Sequence, residues 1–439
     1  MTTFGQLFVP APLLEAVSES AWVQAMLDAE LALARAEAKA GVIPDDAASA
    51  IAGSCRSEVF DPAALARDGR SSGNPAEPLV RALRAVVVGD AAGYVHFGAT
   101  SQDILDTASM LVARRALELI LAELDRAAAR LAALAGAHRS TPMAGRTLLQ
   151  QAVPTTFGLK AGGWLVAALE ARDGLERIRS GRLAAQLGGA AGTLSALGEK
   201  GPEVLMLYSR ELGLGEPVLP WHTDRTRIAE LGRSLATTAG VLAKIGLDVI
   251  LLAQTEVGEV HEAAGGGSST MPHKQNPVGS TRARACARLV AAYTSVLTAA
   301  LEQEHERAAG AWQAEWEALS GALAYTGGAA AAIADVVDGI EVDAMRMRRN
   351  LELTGGAILS ERVSFALAER VGRENATALV RDALRRSGDS GHDFAEELRA
   401  DPENGLDESE LAALLDPTTY LGSAEVFVDR VLERYREGQ

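Results

Sequence analysis

Apolar residues recur at three- and four-residue steps along most of the chain, the spacing that places side chains on one stripe of an α-helix. Between Thr107 and Ala137 the stripe consists of Leu111, Leu117, Ile120, Leu121, Leu124, Leu131 and Leu134. A second stripe, from Ile228 to Glu262, predicts one helix of about thirty-five residues and roughly 50 Å at 1.5 Å per residue. Long helices are also predicted for 281–301 and 314–337, whereas the alternation typical of strands is almost absent.

Helices of this length are typical of bundles, so the sequence predicts an all-α fold of three helical domains with a long central bundle. We place an N-terminal helical domain at 1–106, the bundle at 107–350 and a small C-terminal helical domain at 351–439, near the Gly355-Gly356 pair. Many stripe positions are alanine, which buries little area by itself. We therefore expect close helix approach or association between subunits to complete the core.

Composition and charge narrow the functional classes for this chain of 439 residues. A formal charge of −16 makes nucleic acid an unlikely partner, because phosphates would be repelled. Cys55 and Cys286 form no metal-type spacing, and the start of the chain has no signal-like pattern. The most apolar stretch, 241–253, is interrupted by Lys244 and Asp248, so we expect a cytoplasmic protein that does not enter a membrane.

The segment GGGSSTMPHKQNP, residues 265–277, interrupts the helical pattern with three glycines and two prolines. Glycines let the backbone approach a ligand, and the prolines stiffen the return. Its lysine, Lys274, is one of only five in a chain whose cations are mostly arginine. A flexible polar linker is the alternative interpretation. A phosphate-binding P-loop is excluded, because the preceding strand and the GxxxxGK[ST] order are missing.

Other polar segments are ambiguous by themselves. HFGATSQD, residues 96–103, also fits a loop ending in a helix N-cap, and TPMAGRTLLQQAVPTTFG, residues 141–158, is a weak signal. QEHERAAGAWQAEWE, residues 303–317, fits a packed tryptophan pair beside a charged face. The acids near His261 match no standard ligand set, so no metal or cofactor is predicted. His138 and His222 are lone histidines, which are more often structural.

Taken together, GSSTMPHKQNP, HFGATSQD and GRTLLQ with PTTFG resemble the three signature regions of the fumarase/aspartase superfamily, in the expected order. The surrounding ATSQD, PWHTDR, EVGEVHE and DPTTYLG segments are most similar to its bacterial 3-carboxy-cis,cis-muconate cycloisomerases. The resemblance implies an all-α homotetramer in which three subunits build each active site. It also implies that the glycine loop is a mobile lid carrying Ser268 as catalytic base, with Lys274 and Asn276 gripping a carboxylate of a small polycarboxylate substrate.

The same resemblance suggests which residues bind substrate. We expect Thr100, Ser101 and Gln102 to contact a carboxylate, facing Thr147, Gln150 and Gln151 of a second subunit. Further candidates are Ser269 and Met271 of the loop, and His96, Asn74, His222 and Arg307. Where cycloisomerases often have a histidine, this chain has Gln151.

Two departures from the superfamily pattern bear on the reaction. Relatives that cleave adenylosuccinate or argininosuccinate typically have histidine where this chain has Leu148, and glutamate where it has Thr281. Without that pair a basic nitrogen leaves poorly, whereas a carboxylate, with a conjugate acid of pKa about 4, departs as the anion. Cycloisomerisation by proton transfer next to a carboxylate is therefore predicted. A lyase that expels nitrite from a substituted succinate and releases fumarate is the first alternative, and a scaffold without activity is the second.

Overall fold

The computed structural model describes residues 4–263, 266–267, 271 and 273–438. Within these ranges the chain forms eighteen α-helices and six short strands, which confirms the predicted all-α class. Its tertiary contacts define two compact units. Unit 1 consists of Met1–Asp125, Glu170–Lys244 and Thr281–Ala334, and unit 2 of Arg126–Leu169, Ile245–Ser280 and Asp335–Gln439. These units do not test the division into three domains, which stays a prediction.

Shorter helices form the N-terminal part of unit 1. They are α1 (Gly5–Phe8), α2 (Ala11–Ala16), α3 (Glu19–Lys39), α4 (Asp45–Ser54), α5 (Pro62–Asp68) and α6 (Ala76–Val86), joined later by α9 (Gly201–Leu212). The long helix α3 begins where the Ser18 side chain accepts a hydrogen bond from the amide of Ala21 at 3.1 Å. It ends before Gly41, whose φ of 72° is the left-handed conformation common after helices.

Five long helices contain all the boundaries between the units. They are α7 (Ser101–Ala137), α8 (Phe157–Gly181), α10 (Thr226–Leu252), α11 (Val278–Ala299) and α12 (Ala311–Asp338). The predicted helices over 107–137, 281–301 and 314–337 are confirmed within a few residues. The predicted helix over 228–262 is wrong in its last ten residues, because α10 ends at Leu252. A turn follows, Gly258 has a φ of 60°, and Val260–Glu262 form a strand.

The helix α12 is the best buried of the long helices in unit 1, and glycine makes that possible. A Cβ on Gly328 would lie 2.5 Å from the carbonyl oxygen of Phe8, and one on Gly321 would lie 2.5 Å from the Tyr293 ring. Five alanines between residues 329 and 334 are buried behind them. Small side chains here let neighbouring chain segments approach α12 closely, which compensates for the little area that each alanine buries.

Two described helices, α10 and α12, are long and apolar enough to cross a membrane by length and composition alone. Of the apolar stretch of α12, 89% is buried, as in the core helix of a folded domain. The corresponding share of α10 is 44%, although the large apolar residues of its stripe, Leu231, Leu235, Leu242, Ile245, Val249 and Leu252, are all buried.

Unit 2 contains three pairs of short antiparallel strands. They are β1 (Pro142–Thr147) with β2 (Gln150–Thr156), β3 (Val260–Glu262) with β6 (Ile340–Val342), and β4 (Gly266–Gly267) with β5 (Gln275–Asn276). The sequence did not indicate the hairpin β1–β2, because its apolar and polar residues do not alternate cleanly.

The C-terminal part of unit 2 is helical. It contains α13 (Ala344–Glu352), α14 (Ser360–Val371), α15 (Arg373–Ser390), α16 (Phe394–Arg399), α17 (Glu408–Leu414) and α18 (Ala424–Glu437). Helices α14 to α17 share a small apolar core of Val363, Leu367, Ala376, Val380, Ala383, Phe394, Leu398 and Leu411. Asp393 and Asp407 each form a capping box with a glutamate three residues later, which fixes where α16 and α17 begin.

Candidate active site

The first turn of α7 in unit 1 is built around the buried carboxylate of Asp103. Its oxygens accept hydrogen bonds from the amides of Thr100 at 3.0 Å and of Gly188 and Gly189 at 2.9 Å. The Nε2 atom of His222 lies 2.7 Å from Asp103 Oδ1. Asp103 therefore fixes the segment containing Thr100 and Ser101 against the loop at residues 188–189.

Gln102, the preceding residue of this turn, is fully buried. Its amide nitrogen donates to the carbonyl oxygen of His222 at 2.8 Å and to Asp106 at 3.2 Å. Its amide oxygen accepts a hydrogen bond from Nε of Arg307 at 3.1 Å, and Arg307 also donates to the carbonyl of Ala190 at 3.1 Å. Unit 1 thus brings three predicted binding residues, Gln102, His222 and Arg307, into one hydrogen-bonded cluster.

A buried ion network lies one turn further along α7. Arg225 donates two hydrogen bonds to Asp106, at 2.8 and 2.9 Å, and also pairs with Glu315. Trp312 Nε1 donates to Asp106 at 3.0 Å. Burial raises the pKa of Glu315 to about 7, although the guanidinium of Arg225 opposes that rise. This network was not predicted from the sequence, because its members lie far apart along the chain.

His96, a predicted binding residue, lines a small basic cavity in unit 1. Its Nδ1 atom lies 2.6 Å from Oε1 of Glu30, a carboxylate that is 1% exposed. The cavity measures about 350 Å³ and is lined by Glu77, Val80, Arg81, Arg84, His96 and Ser101. Burial opposes the charged imidazole, but the charge and hydrogen bond of Glu30 outweigh it and raise the pKa of His96. Neither Glu30 nor Arg84 was predicted as a site residue.

Asn74, the other predicted residue of unit 1, caps a helix. Its side-chain oxygen accepts hydrogen bonds from the amides of Ala76 at 3.0 Å and Glu77 at 3.2 Å, at the start of α6. Its amide nitrogen donates to the carbonyl oxygen of Ser72 at 3.2 Å. These bonds give Asn74 a structural role, and a contact with substrate stays a prediction.

In unit 2, the residues around the hairpin β1–β2 form a second polar cluster. Arg146 makes a two-point ion pair with Glu259, at 2.7 and 2.9 Å, and Glu259 is fully buried. Asn350 donates to the same carboxylate at 2.7 Å. The amide nitrogen of Gln151 donates to the backbone oxygen of Asn350 at 2.9 Å, so this predicted residue is held one strand pair below the tip of the hairpin.

The tip of the same hairpin is exposed and has an unusual backbone. Leu148 and Leu149 have φ angles of 51° and 65°, and they are 97% and 78% exposed. Asparagine and glycine are the usual residues of such a two-residue turn. The predicted binding residues Thr147 and Gln150 pair with each other directly below the turn, and both are exposed.

The signature loop begins and ends in paired strands of unit 2. Gly266 and Gly267 pair with Asn276 and Gln275, and the Asn276 side chain donates to the carbonyl oxygen of Gly266 at 3.0 Å. The carboxylate of Glu262 accepts hydrogen bonds from the backbone amides of Gly279 and Ser280, both at 2.9 Å, and these bonds fix the start of α11. Met271 and Lys274 are exposed, whereas the predicted base Ser268 and its neighbour Ser269 lie outside the described residues.

A larger cavity, of about 670 Å³, lies in unit 1 among α3, α5 and α12. The charged side chains in its lining, Glu19 and Glu317, are both acidic, and none of the predicted site residues contributes to it. A polycarboxylate would be repelled there and attracted to the smaller basic cavity at His96. Chemistry therefore favours the smaller cavity as part of a site for an anionic substrate.

The chain combines long helices with a signature loop closed by two short strands. It also has polar clusters at two of the three signature regions, and together these features are those of a helical lyase. A model of the lyase family matches residues 8–292, and a model of the adenylosuccinate lyase C-terminus matches residues 356–431. The chain belongs to this lyase family, which confirms the resemblance to the fumarase/aspartase superfamily seen in the sequence.

Individual relatives are similar over nearly the whole chain. A nitrosuccinate lyase of Streptomyces davaonensis is 49% identical, with 96% of this chain and 92% of the relative covered. A 3-carboxy-cis,cis-muconate cycloisomerase of Pseudomonas aeruginosa is 48% identical, with 98% and 96% covered. The crystal structure of 3-carboxy-cis,cis-muconate lactonizing enzyme from Pseudomonas putida superposes with a TM-score of 0.94 at 43% identity and covers 99% of both chains.

Proposed function

We propose that this enzyme is a cycloisomerase that interconverts 3-carboxy-cis,cis-muconate and a carboxymuconolactone in protocatechuate breakdown. The observation that carries this function is the whole-length similarity, in sequence and in fold, to proteins named for that reaction. Leu148 and Thr281 agree with it, because a carboxylate leaving group needs no strong acid.

The proposed reaction moves one proton at a carbon next to a carboxylate. In the lactone-forming direction a substrate carboxylate attacks the alkene, a C–O bond forms and the adjacent carbon takes a proton. In the opening direction a base removes that proton, the C–O bond breaks and the carboxylate departs with the bonding electrons. The intermediate carries additional negative charge, so a fixed cation beside it lowers the barrier.

We assign the base to Ser268 and the cation to Lys274, with Asn276 and Met271 beside them. Serine is a weak base at its ordinary pKa, so its alkoxide needs a nearby ammonium and exclusion of water. The pairing of β4 with β5 supports this assignment, because it joins the two ends of the segment that contains Ser268, Ser269 and Lys274. The strand pair gives the loop a fixed base from which a lid could close.

We further propose a cytoplasmic homotetramer whose subunits share active sites, with Thr147, Gln150 and Gln151 of one subunit facing Thr100, Ser101 and Gln102 of another. The exposed leucines at the tip of the hairpin support this, because a contact with another subunit would bury their apolar side chains. Leu247 on α10, which is 37% exposed, supports it in the same way. His96, Asn74, His222 and Arg307 complete the proposed binding residues.

Elimination of nitrite from nitrosuccinate is the second candidate, favoured by the relative of that name at 49% identity. The base would remove a proton next to a carboxylate, the C–N bond would break, and fumarate and nitrite would be released. Nitrite is a weak base, so this reaction also proceeds without the acid pair missing at Leu148 and Thr281.

Incubation of the purified enzyme with each substrate separates these functions. The cycloisomerase reaction removes the diene absorbance of 3-carboxy-cis,cis-muconate and forms no fumarate. The elimination releases fumarate and nitrite from nitrosuccinate in equal amounts. Turnover of nitrosuccinate alone would replace the first candidate by the second, and inactivity with both would contradict both candidates and favour another substrate or a scaffold.

A further inference from the structure

Glu30 is a buried carboxylate on the core side of α3. Its neighbours on that face are apolar residues such as Met26, Leu27 and Leu33, which are at most 2% exposed. An ionised carboxylate in such surroundings loses much of its hydration, and a partner of opposite charge must compensate. The partner is His96, whose Nδ1 atom lies 2.6 Å away.

His96 is held in a defined orientation by its backbone as well as by this contact. Its φ angle of 62° is uncommon for a residue other than glycine, and its side chain is 14% exposed. The ring lines the basic cavity together with Ser101 and Arg84. Among the described residues, no hydrogen bond engages the second ring nitrogen, Nε2.

The protonation of His96 decides what Nε2 can bind. Because Nδ1 donates its proton to Glu30, a neutral ring would carry a bare lone pair on Nε2, which repels a carboxylate. A ring with both protons would donate from Nε2 and carry a positive charge. Glu30 therefore favours the form of His96 that binds anions.

The other charged groups around His96 come from three helices. Glu30 faces it from α3 and Asp103 from α7, and both favour the charged ring. Arg84 on α6 opposes it, while donating a hydrogen bond to the carbonyl of Val95 at 2.9 Å. Arg81, also on α6, is paired with Glu77 at 3.0 Å. The net result is that the pKa of His96 is raised above its ordinary value despite burial.

We propose that Glu30 is a positioning residue that keeps His96 oriented and charged, so that His96, Arg84 and Ser101 form a subsite for one carboxylate of the substrate. The cavity volume of about 350 Å³ accommodates such a group. The proposal rests on the proposed function only in requiring a polycarboxylate substrate, and it adds Glu30 and Arg84 to the residues suggested by the sequence.

The test measures the affinity of the whole enzyme for tricarballylate (propane-1,2,3-tricarboxylate) by calorimetry between pH 5.5 and 8.5. This probe has neither a diene nor a leaving group, so its binding does not depend on which reaction the enzyme catalyses. In the unaltered enzyme, affinity should fall as pH rises through the raised pKa of His96. In Glu30→Gln the amide still accepts from Nδ1, but affinity at pH 7 should drop roughly tenfold and the fall should begin at lower pH.

Glu37→Gln is the matched control, since Glu37 lies two helical turns further along α3 and is also buried. Burial, with a smaller effect of Glu30, raises the pKa of Glu37 to about 9, so its carboxyl is already neutral at pH 7. Its replacement by the neutral amide should leave affinity and pH dependence unchanged. The double variant Glu30→Gln/His96→Gln should bind no more weakly than His96→Gln alone, because Glu30 acts through His96.

Two results would overturn the proposal. One is a folded Glu30→Gln enzyme that binds tricarballylate with the affinity and pH dependence of the unaltered enzyme. The other is a His96 pKa at or below the ordinary value of about 6.5 in the unaltered enzyme. This pKa is measured by ¹⁵N-histidine NMR, and the His96 signal is assigned as the one that is missing from the spectrum of His96→Gln. With the active substrate, Glu30→Gln should raise KM far more than it lowers kcat.

Discussion

Arg225 shows at the scale of one residue how a buried charge depends on its partners. Its side chain is 1% exposed and lies between Asp106 and Glu315, which are 2% and 3% exposed. Burial opposes its charge, but the two carboxylates outweigh that effect and raise the pKa of Arg225. Removing one member of such a network leaves the others without compensation, which costs more than the network itself contributes.

Arg225→Met should therefore lower the free energy of unfolding by about 3–5 kcal/mol, since it leaves two buried carboxylates unpaired. Chemical denaturation at pH 7 measures this. Arg227→Met is the control, because Arg227 also stacks on the Trp221 ring. Its guanidinium carbon lies 5.0 Å from the ring centroid, and that of Arg225 lies 4.9 Å from it. Among the described residues, Arg227 has no buried carboxylate partner. Equal losses in the two variants would show that stacking on Trp221, rather than the ion network, stabilises this region.

Ser268→Ala tests the proposed base with a change of one oxygen atom. We expect turnover to fall by at least about 10³-fold with substrate binding largely retained, because a base contributes to the transition state more than to the bound substrate. Ser269→Ala is the control, since it removes a neighbouring hydroxyl and should affect KM more than kcat. Turnover that survives Ser268→Ala but is lost in Ser269→Ala would transfer the base to Ser269.

At the scale of elements, the close approach between α12 and the N-terminal segment explains why glycines occur in a long helix. Glycine in a helix interior is less stable than alanine, unless a neighbouring segment occupies the space that the alanine methyl group would fill. The structure separates the two cases, because Gly328 is crowded by the backbone of Phe8, whereas an added Cβ at Gly240 in α10 would meet no atom within 4 Å.

Gly328→Ala should lower the free energy of unfolding by about 1–3 kcal/mol, because the Phe8 backbone must move away from the added methyl group. Gly240→Ala should instead raise it by up to about 1 kcal/mol, since alanine favours the helix and meets free space. Denaturant titration of both variants gives the comparison. A stabilising Gly328→Ala would mean that the N-terminal segment does not pack on α12 in solution.

At the scale of the whole molecule, some large apolar side chains of the single chain are exposed to solvent. Leu148 and Leu149 at the tip of the hairpin β1–β2 are 97% and 78% exposed, and Leu247 on α10 is 37% exposed. Large apolar side chains that are exposed on a single chain are often buried where subunits meet. The proposed homotetramer would cover them.

Leu247→Glu should therefore weaken assembly, because a carboxylate buried in an apolar interface is costly. Sedimentation velocity of the unaltered enzyme should show tetramers, and the variant should show smaller species with reduced activity if subunits share active sites. Ser49→Glu is the control, since Ser49 is an exposed polar residue and the same added charge there should leave the mass unchanged. A tetramer that survives Leu247→Glu would exclude this part of α10 from the interface.

The sequence alone determined the helical class, the positions of most long helices and the membership of the lyase family that the signature loop indicates. Each of these depends on residues that are close along the chain: a helical stripe repeats every few residues, and the loop residues from Gly265 to Pro277 are consecutive. Where the sequence failed locally, at the end of α10 and at the hairpin β1–β2, pairing with another strand decided the backbone conformation.

Only the tertiary structure decided which charged groups meet. Glu30 and His96 are separated by 66 positions, Arg146 and Glu259 by 113, and Asp106 and Arg225 by 119. No periodicity links such residues, since packing of whole helices places them side by side. Burial then makes the members of each pair depend on each other, because a charged group removed from water is stable only beside a partner of opposite charge.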